Sequence, residues 1–111
     1  MGRTRGINSW DGSGVVAGDV SFGSTKSDDL ACNFRIVIEG AHNHVSYFRV
    51  NAYGQNAKFC QMRGLQKGDY VVICGELMNR AGREEILTEI RCKSIVIISM
   101  ERKNDGSQEE K

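Results

Sequence analysis

With 111 residues the chain has room for one domain around a single core. A hydrophobic fraction of 40% and a charged fraction of 26% suit a globular fold with a soluble surface. The formal net charge of only +1 excludes a global field as the source of any affinity for polyanions, which would have to come from a local patch.

No apolar run reaches the ~18 residues that a membrane span requires. Residues 1–10 carry two arginines but no hydrophobic segment of the secretory kind. Cys32, Cys60, Cys74 and Cys92 are widely scattered, with no CxxC or CxxH spacing. Three of them (Cys32, Cys60 and Cys92) fall where packing residues belong, so free thiols in a reducing cytosol are expected rather than a disulfide framework or a zinc site.

Residues 1–14 are rich in glycine and serine and are expected to form a flexible arm. Trp10, the only tryptophan, is either a local packing cap or a stacking residue on that arm, and packing is the favoured reading. The barrel domain is expected over 15–99. Residues 15–20 (VVAGDV) read as a first strand bent at Gly18, and 21–29 as a polar loop. Leu30–Glu39 (LACNFRIVIE) reads as a second strand, with Cys32, Phe34, Ile36 and Ile38 inward and Asn33, Arg35, Val37 and Glu39 outward. His42 and His44 sit in the short connection 40–46 without a third metal ligand nearby, and read as a solvated turn.

The third strand, 47–53 (YFRVNAY), hides Phe48, Val50 and Ala52 and presents Tyr47, Arg49, Asn51 and Tyr53. An outward face of two tyrosines flanking an arginine and an amide suits nucleic acid, since every base offers a ring face to stack and every nucleotide a phosphate to pair. A helix follows over 55–63, with Ala57 and Cys60 inward and Gly64 as its stop. A fourth strand over 70–78 buries Val71, Ile73, Gly75 and Leu77. A tight hairpin (NRAGRE, 79–84) leads to a long fifth strand over 85–99 whose period breaks near Ser94. Residues 100–111 are polar, without periodicity, and are expected to be a disordered tail.

Five strands with one short helix between the third and fourth give an all-β, five-stranded OB-fold barrel as the expected architecture. Its open face would carry Tyr47, Arg49, Tyr53, Arg35 and Asn51. Arg91 and Lys93 alternate outward on the last strand and are not assigned to the site. No nucleophile–base spacing, metal cluster or phosphate-cradling glycine loop is present, which argues against an enzyme, and no cofactor is implied.

The motifs VVAGDV, ACNFRIVI, YFRVNAYG, LQKGDYVVICGEL and the pair Thr88–Glu89 together resemble the bacterial- and phage-type single-stranded DNA-binding proteins, over about 15–98. The resemblance implies a compact, divergent member that binds single-stranded DNA without strong sequence preference. It places the stacking aromatics at Tyr47 and Tyr53 and a basic contact at Arg49. It further implies a homo-oligomer (dimer or tetramer), contacts with replication, recombination or repair proteins, and a cytoplasmic, nucleoid-associated location. The family's aromatic near the end of the second strand has no counterpart here. Its long basic, aromatic hairpin between the last two strands is cut to NRAGRE, which leaves Arg80 as a nucleic-acid contact, with Arg83, but no ring. Both losses imply a shorter site of lower affinity. The acidic, phenylalanine-tipped tail of the family is also not matched by SQEEK. Two other readings stand beside this one. The barrel could be a primosomal-type adaptor working through protein contacts, or an oligomerisation module with the tyrosines between subunits.

Overall fold

A computed structural model describes residues 6–81 and 86–99. It contains six strands, β1 (Trp10–Val16), β2 (Ser21–Ser24), β3 (Leu30–Glu39), β4 (Val45–Tyr53), β5 (Tyr70–Ala81) and β6 (Ile86–Ile98), and one helix, α1 (Gln55–Arg63). They form one sheet in the order β1-β5-β6-β4-β3-β2, and β1 also pairs with β3, so the sheet closes on itself. The closed barrel has five strands, with β2 lying along β3 as a continuation of β1 after a break. β4 and β6 run parallel and every other pairing is antiparallel, so the barrel is mixed. This is the OB-fold architecture expected from the sequence, with the helix after β4. No helix among the described residues is long and apolar enough to cross a membrane.

The core gathers alternate residues of each strand. Val16, Cys32, Phe34, Ile36, Val50, Ala52, Val71, Ile73, Ile90, Ile95 and Ile97 are buried, and α1 adds Ala57 and Cys60 beneath the barrel. The 55–63 spacing holds to the residue, and Gly64 ends the helix in the left-handed region (φ 68°), where a side chain would be strained. Its amide donates to the Gln61 carbonyl and that of Leu65 to the Cys60 carbonyl.

Cys32, Cys60 and Cys92 are buried as their positions predict, Cys74 is exposed, and all four are free. The Cys32 thiol is pushed well above its usual range by its hydrogen bond with Cys60 and by burial, and burial pushes Cys92 up to about 12. At neutral pH both are therefore protonated packing groups rather than nucleophiles.

The fourth barrel strand runs on to Ala81, through the first residues of the expected hairpin, and Leu77 near its end is exposed rather than buried. Two further differences concern the start of the chain. The first strand begins at Trp10, not at 15, and residues 10–15 pair with 70–75 of β5. The glycines that suggest a loose arm are there for close packing. The Trp10 ring lies over Gly12, and a side chain on Gly14 would run into the Val37 carbonyl. Trp10 itself packs against Phe48, ring centroids 5.8 Å apart, in agreement with the packing reading. Ahead of it, the Asn8 side chain donates to the Leu77 carbonyl at 2.7 Å and accepts from the Leu77 amide at 2.9 Å, acting as one more rung of the ladder. Second, the stretch 21–29 is not all loop, since 21–24 pairs with 30–33 as β2. The break between β1 and β2 contains Gly18, where the bend is expected. The arm residues 1–5, the hairpin residues 82–85 and the tail 100–111 lie outside the described residues.

The period break expected near Ser94 is a bulge. Cys74 pairs with Ser94 but Gly75 with Cys92, so Lys93 is the extra residue on β6. A side chain on Gly75 would collide with the Arg91 carbonyl at this point. Gly75→Ala is expected to lower stability by about 1–3 kcal/mol, the usual range for overpacking, read as a lower midpoint of urea unfolding.

Candidate nucleic-acid interface

Strand alternation sends Tyr47, Arg49, Asn51 and Tyr53 of β4 to the outside of the barrel. β3 sets Val37, Arg35 and Asn33 directly opposite Tyr47, Arg49 and Asn51. On the other side β6 runs parallel and sets Glu89 beside Arg49 and Arg91 beside Asn51. β5 adds Met78 opposite Glu89 and Arg80 opposite Leu87. All six residues expected at the site thus come from one continuous outer face.

Their exposure divides them. Tyr47 is 63% exposed and Tyr53 36%, one near each end of β4, and the rise of a strand puts them roughly 20 Å apart. The Arg91 guanidinium lies 5.9 Å from the centroid of the Tyr53 ring, within cation–π range. Tyr53, Arg91 and Met78 line an open groove of about 310 Å³ whose far wall is Thr25, Ser27 and Asp29 of the β2–β3 turn. Arg35 and Arg49 share a second, smaller hollow of about 160 Å³ with Asp19, Ser21 and Asn33. Arg35 makes no ion pair with any described residue. Like charges set directly opposite one another on a sheet repel, and an anion between them would relieve the repulsion.

The outward period of β4 predicts a wet Asn51, and here the structure corrects it. Asn51 is on the expected face but only 5% exposed. It is a short side chain on a central strand, and its amide donates to Glu89 Oε1 at 2.7 Å. Asn51 therefore braces Glu89 from within the face. Arg80 is half-exposed and anchored, its Nε 3.1 Å from Glu89 Oε2. Arg49 Nε is 3.6 Å from the same oxygen and also donates to Asn51 Oδ1 at 3.5 Å.

Two members of the face escape the sequence reading. Glu89 appears there only as half of a Thr-Glu match, and a single acid on a strand ordinarily reads as solvated. Arg91 is set aside as an outward residue of the last strand. The signal available for both is their period: 89 and 91 point the same way on a strand that follows the proposed face.

No family model matches the sequence, and no curated protein matches it. Solved structures do match. An SSB domain from Synechococcus sp. superposes with a TM-score of 0.69 at 19% identity, over 84% of this chain and 98% of that one. The N-terminal domain of PriB protein from Thermoanaerobacter tencongensis, described as dimeric, superposes with a TM-score of 0.67 at 15% identity, over 82% and 96%. What is shared is the fold. Nearly all of each neighbour is covered, so the likeness extends over the whole barrel and is not confined to one hairpin.

Removing the Asn51 amide leaves Glu89 Oε1 buried without its donor. Asn51→Ala is accordingly expected to cost about 1–3 kcal/mol, the penalty of an unsatisfied buried polar group, measured as the shift in chemical unfolding.

Proposed function

We propose that the chain binds single-stranded DNA without strong sequence preference, holding it across the outer face of β3, β4 and β6. The observation that carries this reading is the pair of exposed tyrosines on β4 with Arg35 and Arg49 between them and Arg80 and Arg91 alongside. Stacking supplies affinity that does not depend on base identity, and guanidinium–phosphate pairs supply the rest. Duplex DNA is a poorer ligand because its bases are already stacked on one another. The fold likeness to an SSB domain supports the same reading. The role is binding rather than turnover, protecting or presenting single strands exposed in replication, recombination or repair.

Anisotropy of labelled oligo-dT tests it. Tyr47→Ala/Tyr53→Ala is expected to weaken binding roughly a hundredfold, from a loss of ~1–3 kcal/mol per stacked base. Raising salt should lower log K with a slope of about −3, since each neutralised phosphate on a single strand contributes ~0.7 and four arginines face the strand. Absence of binding at low salt would overturn the reading and leave a barrel that works through protein contacts.

A second surface supports self-association. Val15, Val72, Val96 and Ile98 are all substantially exposed on the outside of β1, β5 and β6, away from the arginines. Apolar side chains clustered in this way on a small domain mark a contact surface. We assign it to a second copy of this chain, and the dimeric state described for the PriB domain supports that occupant. Val96→Lys/Ile98→Lys is expected to reduce the molar mass measured by light scattering to that of the monomer while leaving the far-ultraviolet circular dichroism spectrum unchanged. A wild-type protein that is already monomeric would overturn this assignment.

A further inference from the structure

We infer that Glu89 is a positioning residue for phosphate recognition, holding Arg49 and Arg80 by their inner nitrogens so that their outer forks face the strand. The inference rests on the single-stranded DNA reading and assigns a role within it to a carboxylate that the reading leaves unexplained. An acid at the centre of a face proposed to bind a polyanion is otherwise a defect, since it repels phosphate.

The Glu89 side chain is 5% exposed, while those of Arg49 and Arg80 are 46% and 55% exposed. The carboxylate thus lies beneath the layer of the guanidinium groups. Three contacts fix it. Asn51 donates to Oε1, and Oε2 faces Arg49 Nε from the neighbouring strand β4 and Arg80 Nε from β5. Both arginines approach the acid through Nε, and Arg49 Nε also donates to Asn51 Oδ1. Among the described residues, the terminal nitrogens of neither one donate a hydrogen bond. A guanidinium is a rigid plane with five donors, so pinning the inner N–H fixes the direction of the outer pair, which is the edge that receives a phosphate bidentately. A lysine has no second edge and could serve either the acid or the phosphate.

The arrangement also bears on Arg35, which stands directly opposite Arg49 with no ion pair of its own among the described residues. Drawing Arg49 toward Glu89 lessens the clash between the two arginines and keeps the hollow between them open, where a phosphate would complete the charge balance.

Charge alone and positioning predict opposite signs. Glu89→Gln removes one negative charge and takes the net charge from +1 to +2. If the carboxylate only subtracts from the field, this variant binds oligo-dT more tightly. If it positions the arginines, binding weakens by about tenfold, the value of one oriented charge-assisted contact. In the second case Arg49→Ala costs affinity in the wild-type background and little further in Glu89→Gln, a non-additivity that general loss of stability does not produce. The measurement is anisotropy of labelled oligo-dT at low salt, with circular dichroism melts of every variant so that titrations are run well below each transition.

Arg49→Lys and Arg80→Lys keep the charge on half-exposed side chains, so they test the same point should Glu89→Gln fold poorly. Each is expected to bind several-fold more weakly than wild type, by the loss of bidentate geometry. Tighter or unchanged binding by a folded Glu89→Gln, or wild-type affinity in both lysine variants, would overturn the inference and leave the DNA reading standing. A wild-type protein that does not bind oligo-dT would overturn the DNA reading itself, and this inference with it.

Discussion

Much of this molecule depends on one extra residue. β5 keeps its odd-numbered residues Val71, Ile73 and Gly75 buried through the bulge, while β6 beside it passes over Lys93 in the ladder. Before the bulge Ile90 and Cys92 fill the core; after it Ile95 and Ile97 do. The core is continuous across the break because the inward set changes parity at the point where the register slips. The outward set changes with it. Glu89 and Arg91 stand on one side of the bulge and Val96 and Ile98 on the other, so a single strand contributes to a charged face and to an apolar one. Gly75 is the local requirement, since the Arg91 carbonyl takes the room that its side chain would need.

Closure of the barrel rests on β1, which bridges β3 and β5. Its exit is held by the 66–69 turn: the Val16 amide donates to the Asp69 carbonyl, and the Gly68 amide donates to that of Val16. The buried Asp69 carboxylate accepts the Gln66 amide at 3.1 Å and so braces the turn from within. These contacts help to explain how a strand containing two glycines stays in place, since much of its hold comes from backbone groups on both sides rather than from side-chain bulk. Trp10 supplies apolar bulk at the other end, across Gly12 and against Phe48.

Where a segment's period and its tertiary surroundings agree, the sequence is readable. Leu30–Glu39 alternates through its middle, from Cys32 to Ile36, and is a strand over the expected residues; Gln55–Arg63 has helical spacing and a glycine stop and is a helix over those residues. The break in β6 is visible as a change of parity. Glycine misleads at the start of the chain because flexibility and close approach leave the same mark, and only the neighbours Val37 and Trp10 distinguish them. The site is legible as a pattern on β4 but not as a network. Asn51 is outward by period and buried by contact, because the group that holds it, Glu89, arrives on a parallel strand distant in the sequence. Pairings of that kind leave no trace in local periodicity.

The same distances impose an order on folding. β3 and β4 are joined by the short connection 40–44, which contains a 3-10 turn at Ala41–Asn43, so their pairing closes a small loop. β1 must find β5 across most of the domain, Trp10 meeting Gly75, and that search is the entropically expensive step. A growing chain can therefore assemble the tyrosine-bearing hairpin before the strand that seals the barrel has its partner. Until β5 and β6 arrive, that hairpin has one bare edge and an unfilled inner face. Speed of closure, more than final stability, then governs how long this sequence is open to pairing with the wrong strand.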